Sequence, residues 1–384
     1  MLTAAKGDGC GVKKKRLGRG VIVLLFTFLA LTLSACGDPR LTTFAPNGTN
    51  AEESLYLIKL SAYIMFAVMA VVFVLLLYVI IRFRAKSDDT SIPKQVEGST
   101  LLEFIWTAIP VIIIIFLAVI TINMTFSMAQ DHSEDPDAVK LEVIAHQYWW
   151  EFRYPELGIV TAQDLYIPKG KKIAATLRGD DVIHSFWVPN LTGKIDTNPG
   201  YNRDGTLQNV NRFTFDSKTT GIFLGKCAEL CGPSHPLMEF KVIALEPADF
   251  EAWVAKMKEP VQVKGQTAVQ GEKIFQQNCA ACHAVDASDQ AKRPGPNLAN
   301  IGNRLTIAGY LPAETEADMR ESLVKWIAEP NRYKPQNEQA TVKTVVMPPF
   351  KDKLSKEEMN ELIDFLLEQK QYDPANFKIG TEVK

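Results

Sequence analysis

The sequence predicts a multidomain membrane protein built from a two-helix transmembrane hairpin, an all-β sandwich and an all-α C-terminal domain. Three observations carry this. Leu60–Ile81 and Phe104–Ile122 are apolar runs without a charged side chain. Between Lys140 and about Leu245, short runs alternate apolar and polar residues, the period of a strand. Beyond residue 268 the apolar residues recur at three- and four-residue spacing, the period of a helix. A chain of 384 residues has room for two or three domains. Its 42 basic and 44 acidic residues give a net charge of −2, against a nucleic-acid binder, which should carry a strongly basic domain. The 47% of hydrophobic residues are clumped into three blocks before residue 126, which argues against a purely cytosolic globule.

The first block reads as an address. A basic run over residues 13–19 precedes the apolar stretch Val21–Leu33, and small residues come after it. That order fits a secretory signal and is too short for a comfortable span. Leu33-Ser34-Ala35-Cys36 resembles a bacterial lipobox, implying a lipoprotein-type signal peptide over residues 1–35 and lipidation of the Cys36 thiol. The rival is an uncleaved anchor in which Cys36 is incidental.

The second and third blocks lie in a hairpin over residues 50–126. Each run is long enough to cross a hydrocarbon core of about 30 Å as a helix, which satisfies its own backbone groups. The connecting loop holds Arg82, Arg84, Lys86 and Lys94, so the positive-inside rule puts it in the cytoplasm. The chain beyond residue 126 then lies on the outer face, periplasmic or extracellular. Thr100 and Glu103 have capping-box spacing at the start of the second span. Glu103 is equally suited to admit protons to a partner subunit at the cytoplasmic mouth.

The sandwich occupies residues 138–258, with strand-like runs such as 140–144, 172–177, 212–215 and 238–245. Its chemistry is in Cys227-Ala-Glu229-Leu-Cys231-Gly-Pro-Ser-His235-Pro-Leu-Met238. Thiolate, imidazole and thioether in one loop select a soft or borderline metal, copper above all. Zinc would more often use closer Cys pairs and has no use for a thioether. Two neighbouring thiolates can bridge two copper ions. His184, upstream in Asp181-Val-Ile-His184-Ser-Phe-Trp187, is a candidate terminal ligand. The plainer readings are a disulfide between Cys227 and Cys231 and a core histidine at His184; a disulfide leaves His235 and Met238 unexplained.

A polar linker over residues 259–267 leads to the helical domain at 268–372. Residues 270–279, 314–328 and 355–368 are its helical stretches, the last with a Ser355–Glu358 capping box. Cys279-Ala-Ala-Cys282-His283 has the spacing for covalent c-type haem, with His283 as the proximal axial ligand. The methionines available opposite it are Met319, Met347 and Met359. Met319 and Met359 fall on helical stretches, where packing is the commoner role. Met347 sits before two prolines that forbid regular helix, so it is the candidate second ligand. His/Met ligation raises the potential of a haem, as suits an electron carrier.

The copper loop, the His184 run, Glu103-x-x-Trp106-Thr-x-Ile-Pro110 and His146-Gln-Tyr148-Trp149-Trp150 together resemble subunit II of haem-copper cytochrome c oxidase over about residues 50–255. The resemblance implies a cupredoxin-like fold carrying a binuclear copper A centre. Its ligands would be His184, Cys227, Cys231, His235, Met238 and the backbone carbonyl of Glu229, whose side chain would share a magnesium ion with subunit I. It also sets Glu103 at the entrance of a proton pathway. Many relatives have tryptophan where Tyr148 stands, so the electron entry route is left open among Tyr148, Trp149 and Trp150, whose plainer role is core packing. Residues 266–372, with Gly295-Pro296-Asn297-Leu298 after the haem motif, resemble a class I cytochrome c.

The cysteines are then spoken for: Cys10 in the leader, Cys36 for lipid, two for copper and two for haem. His132 and His146 have no assigned chemistry, and His132 is expected to be solvated. The resemblance implies a proton-translocating oxidase subunit, with the oxygen chemistry in subunit I. Its partners would be subunit I and the other oxidase subunits, the membrane, and a donor that is soluble or membrane-bound cytochrome c or the cytochrome bc complex. Two rivals stand beside it: the electron-entry subunit of a copper A nitric oxide reductase, and a membrane-tethered copper-binding protein.

Overall fold

In the computed structural model, residues 23–28, 37–84, 92, 95–200, 210–336 and 346–373 are described. Residues 23–28 are helical and belong to a separate N-terminal unit, 1–38; the remainder of the chain forms one compact unit.

That unit opens with α1 (Thr49–Arg82) and α2 (Thr100–Met128). Both outrun the predicted spans. At 34 residues, α1 is about 51 Å long, well beyond the ~30 Å of a hydrocarbon core. The surplus is used at the N-terminal end, where Ala51 and Leu55 are buried and Asn50 donates to the Thr214 carbonyl at 2.8 Å. Beyond these turns no apolar residue of either helix is buried and most are exposed, as a membrane requires. The expected Thr100–Glu103 capping box does not form. Ser99 is the N-cap without a side-chain bond, so Glu103 lies one position past the capping register, although still in the acidic first turn.

Two five-stranded sheets come next. One has the order β3-β2-β1-β5-β8, from β1 (Val139–His146), β2 (Trp149–Tyr154), β3 (Ile159–Ala162), β5 (Ile173–Gly179) and β8 (Asn211–Phe215). The other has the order β4-β10-β9-β6-β7, from β4 (Asp164–Pro168), β6 (His184–Trp187), β7 (Ile195–Thr197), β9 (Gly221–Cys227) and β10 (Glu239–Leu245). The sandwich is mixed rather than wholly antiparallel, because β1 pairs with β5 and β4 with β10 in parallel. Alternation reports which face is buried, not the sense of the neighbouring strand.

Trp150, Phe186 and Phe240 fill the centre between the sheets, Trp150 and Phe240 with ring centroids 5.1 Å apart and Phe186 stacked on Phe240 at 4.8 Å. Gly225 opposes Phe240 across the β9–β10 pair, where an added Cβ would fall 2.2 Å from the ring. The strands β3 and β4 are buried throughout, so they lack the half-polar alternation that marks a strand with one wet face. Their outer surfaces are covered by α3 (Pro247–Met257), which seats Trp253 on Tyr166, and by the C-terminal domain.

The C-terminal domain is helical: α4 (Gln266–Asn278), α5 (Glu316–Ala328), the short α6 (Pro330–Tyr333) and α7 (Lys356–Glu368), with a small β11–β12 pair (Thr306–Ile307, Leu311–Pro312). The helix α4 begins inside the predicted linker. Gly271 lets it cross α7 closely, since a Cβ there would meet the Glu361 carbonyl at 1.9 Å. Ser355 and Glu358 form the expected capping box, and Thr315 with Asp318 forms a second.

Candidate functional site

Strand pairing assembles the first site. The strands β6 and β9 run antiparallel with Phe186 opposite Cys227, and Ala228 N–H donates to the Ser185 carbonyl at 2.9 Å. His184, the first residue of β6, therefore lies beside the end of β9. The loop from Cys227 to Met238 is closed at its base by Cys227 N–H donating to the Met238 carbonyl at 3.0 Å.

Six predicted groups meet there. Cys227 Sγ is 3.8 Å from Cys231 Sγ, 3.9 Å from His184 Nδ1 and 3.2 Å from the Glu229 carbonyl. Cys231 Sγ is 3.6 Å from His235 Nδ1 and 3.9 Å from Met238 Sδ. Both cysteines, His184 and Met238 are buried. At 3.8 Å the sulfurs are not joined, so the disulfide reading fails here.

The surroundings fit a soft cation. Asp181 Oδ1 accepts from His184 Nε2 at 2.8 Å, leaving Nδ1 as the ligand atom. Burial alone would lower the pKa of His184, but the Asp181 carboxylate and the Cys227 sulfur raise it. The two thiols cannot both ionise side by side without a cation. Hydrogen bonding from Cys231 holds Cys227 far below the usual thiol range, and the same contact pushes Cys231 far above it. A metal would take the place of the shared proton.

The β1–β2 turn braces this loop. Gln147 N–H donates to Asp181 Oδ2 at 2.6 Å, and Gln147 Nε2 donates to the Cys231 carbonyl at 2.5 Å. Gly232, at φ +130°, passes so near Tyr148 that a Cβ would lie 2.4 Å from Oη. Asp181 and Gln147 are functional residues that motif reading missed; the Asp-x-x-His spacing was the available signal for Asp181.

A second site is a largely apolar cavity in the C-terminal domain with about 1420 Å³ of space not filled by protein atoms, part of it open to solvent. Cys279, Cys282, His283 and Met347 all line it. His283 Nδ1 donates to the Pro296 carbonyl at 2.8 Å, which leaves Nε2 as its ligand atom. Burial lowers the His283 pKa, with the Pro296 carbonyl opposing, so the ring is kept neutral as ligation requires. Gly295 admits the ring edge: a Cβ there would lie 2.6 Å from His283 Cε1. One wall comes from the sandwich, including Gln163, whose buried Nε2 has no hydrogen-bond partner among the described residues, and the segment 147–149. The apolar walls and unpaired amide suit a macrocycle with polar substituents. Met319 and Met359 are buried in α5 and α7, as packing residues are.

Other expectations fall elsewhere. Cys10 and Cys36 lie outside the described residues. Glu103 is exposed in the first turn of α2, in the membrane hairpin. His132 is not simply solvated: it is half-buried, with Nδ1 3.2 Å from Thr214 Oγ1, because the chain leaving α2 folds back over β8. His146 stacks on Trp149 at 4.1 Å and pairs with Glu151 at 3.1 Å. Trp150 and Tyr148 are both core residues of the sandwich, and Tyr148 also lines the second site together with Trp149.

Comparison with known proteins gives matches along most of the chain. The transmembrane domain of cytochrome c oxidase subunit II matches residues 45–124, its periplasmic domain residues 158–245, and cytochrome c residues 268–370. Cytochrome c oxidase subunit 2 of Alkalihalophilus pseudofirmus is 42% identical over 350 residues, which cover 89% of this chain and 95% of the relative. The protein of the same name from Bacillus sp. (strain PS3) is 43% identical over 334 residues, 82% of this chain and 90% of the relative. The crystal structure of the periplasmic domain of subunit II of cytochrome oxidase from Bradyrhizobium japonicum is 28% identical, covering 31% of this chain and 94% of that one with a TM-score of 0.28.

Proposed function

Since the chain belongs to the cytochrome c oxidase subunit II family and carries a fused cytochrome c domain, we propose that it conducts electrons from a haem c to a binuclear copper A centre and on to subunit I. The copper ligands are His184, Cys227, Cys231, His235, Met238 and the Glu229 carbonyl. The haem is held through Cys279 and Cys282, with His283 and Met347 as axial ligands. The observation that carries this reading is the convergence of two thiols, two imidazoles, a thioether and a carbonyl around one buried sulfur pair.

Both groups, when bound, supply one-electron redox chemistry. The chain's own residues do the rest. Asp181 fixes the His184 tautomer, and Gln147 fixes the carbonyl of Cys231. The Pro296 carbonyl orients His283, and the apolar cavity excludes water. A buried site held by neighbouring strands rearranges little as its charge changes. Fusion of the donor domain raises its effective concentration to the order of mM.

Oxygen reduction, coupled to proton translocation, is then the work of subunit I. Glu103 serves proton entry from the cytoplasmic side, the Glu229 side chain shares magnesium with subunit I, Cys36 is lipidated, and both redox domains face outward. The external donor is a cytochrome c or the cytochrome bc complex. The fused haem domain speaks against a copper carrier, and the relatives, which are oxidase subunits by name, favour the oxidase over the nitric oxide reductase.

Metal analysis with electron paramagnetic resonance and visible spectra on the purified chain, matured in an export-competent host, tests the assignment. Two coppers sharing one unpaired electron and one low-spin covalent haem are expected. A localised mononuclear copper signal, or zinc in its place, overturns it.

A further inference from the structure

Two hydrogen bonds cross from the C-terminal domain to the sandwich beside the copper loop. Lys334, just past α6, is 3% exposed and donates from Nζ to the Tyr148 carbonyl at 2.7 Å. Ser234, fully buried next to His235, donates to the Pro335 carbonyl at 2.7 Å. The segment that supplies Lys334 and Pro335 is itself held, because Tyr310 Oη donates to the Tyr333 carbonyl at 2.6 Å and the Tyr310 ring lies 5.9 Å from Lys334 Nζ. Burial pushes the Lys334 pKa down to about 7, against the pull of Glu239 and Cys231. A side chain that costs this much to bury is better explained by the geometry it fixes than by stability.

What it fixes is the turn between the two sites. Gln147, Tyr148 and Trp149 line the cavity proposed for the haem. Gln147 also bonds the carbonyl of Cys231. A single short turn thus touches the wall of one site and the ligand loop of the other, and Lys334 grips the middle of it.

We propose that Lys334 is a positioning residue which, with the Ser234–Pro335 contact, clamps the Gln147–Trp149 turn between the haem cavity and the copper loop and so fixes the docking through which the two domains exchange electrons. One electron crosses the contact per event, leaving the haem iron oxidised by one and the copper pair reduced by one, with no bond made or broken. This rests on the copper and haem sites of the proposed function.

The test uses the full membrane-embedded chain as Lys334→Met, which keeps the length of the side chain and removes the donor, and as Lys334→Arg, which keeps a donor. Two readouts are compared: amide hydrogen exchange of segments 146–150, 231–238 and 333–336, and the haem-to-copper electron-transfer rate after flash photoreduction. For Lys334→Met, exchange in these segments is expected to rise roughly tenfold, the worth of one buried hydrogen bond. The transfer rate should fall by a similar factor, with copper and haem spectra unchanged, and Lys334→Arg should restore most of both. Unchanged exchange and rate overturn the proposal. A changed copper spectrum overturns it too, by making Lys334 part of the metal site. Absence of copper or haem from the parent chain sinks the redox assignment instead, and the exchange readout still decides whether Lys334 clamps the turn.

Discussion

Asp181 shows how much of the proposed copper site is decided one residue beyond the candidate ligands. Its carboxylate accepts from His184 Nε2 and from the Gln147 and Val182 amides, so one side chain sets a ligand's tautomer and anchors the turn against the loop. Replacing such a partner typically costs 10–100-fold in metal affinity. Asp181→Ala should therefore lose copper to a chelator roughly 10–100-fold more readily, with haem content unaffected; equal retention would show that the strands alone hold His184. Gly232 acts at the same scale. Its positive φ and the 2.4 Å approach to Tyr148 Oη leave no room for a Cβ, so Gly232→Ala should distort the loop and broaden the copper spectrum. The proposed ligand residues were legible because donor chemistry is written in residue type. Asp181 was legible only as a spacing, and Lys334 not at all, since nothing local distinguishes a buried lysine from a solvated one.

Helix α1 illustrates how an element is finished by another domain. Its N-cap, Gly48, offers no side-chain acceptor, and a Cβ there would meet the Leu191 carbonyl at 2.2 Å. The cap is supplied in trans: Asp216, just past β8, accepts from the Thr49 N–H at 2.7 Å and the Thr49 hydroxyl at 2.8 Å, and pairs with Lys172 at 2.9 Å. Burial would raise the Asp216 pKa, but the Thr49 amide and Lys172 outweigh it and hold the carboxyl below the usual range. A depressed carboxylate contributes fully above its unfolded value, about 3.9, and the contribution is lost as pH falls through the lower folded value. The contact between hairpin and sandwich should hold at pH 5 and loosen below about 4, read as hydrogen exchange at Thr49–Glu52. Asp216→Ala should abolish that pH dependence and cost about 1 kcal/mol, a typical cap. Exchange that is flat with pH in the parent chain would refute the trans cap.

At the scale of the molecule, the C-terminal domain is packed onto the sandwich rather than hung from it. Val160 of β3 donates to the Ala287 carbonyl at 2.8 Å, Lys241 of β10 to Thr306 Oγ1 at 2.7 Å, and Ala287 and Ala299 join the sandwich core. Removing residues 260–384 should expose the edge of β3 and the fully buried β4. It should also slow oxidation of external cytochrome c and change its salt dependence, because a tethered donor is replaced by a diffusing one. Unchanged rate and salt dependence would mean that electrons bypass the fused domain.

By itself the sequence determined the order of parts, the two apolar helices, the donor set proposed for copper and the motif proposed for covalent haem, because hydrophobic period and ligand chemistry are local properties of the chain. The tertiary structure alone decided the parallel strand pairs, the cap that Asp216 lends to α1, and the buried contacts of β3, β4 and Lys334. Each of these depends on which distant segment lies alongside. A side chain's type and its neighbours in sequence do not record that.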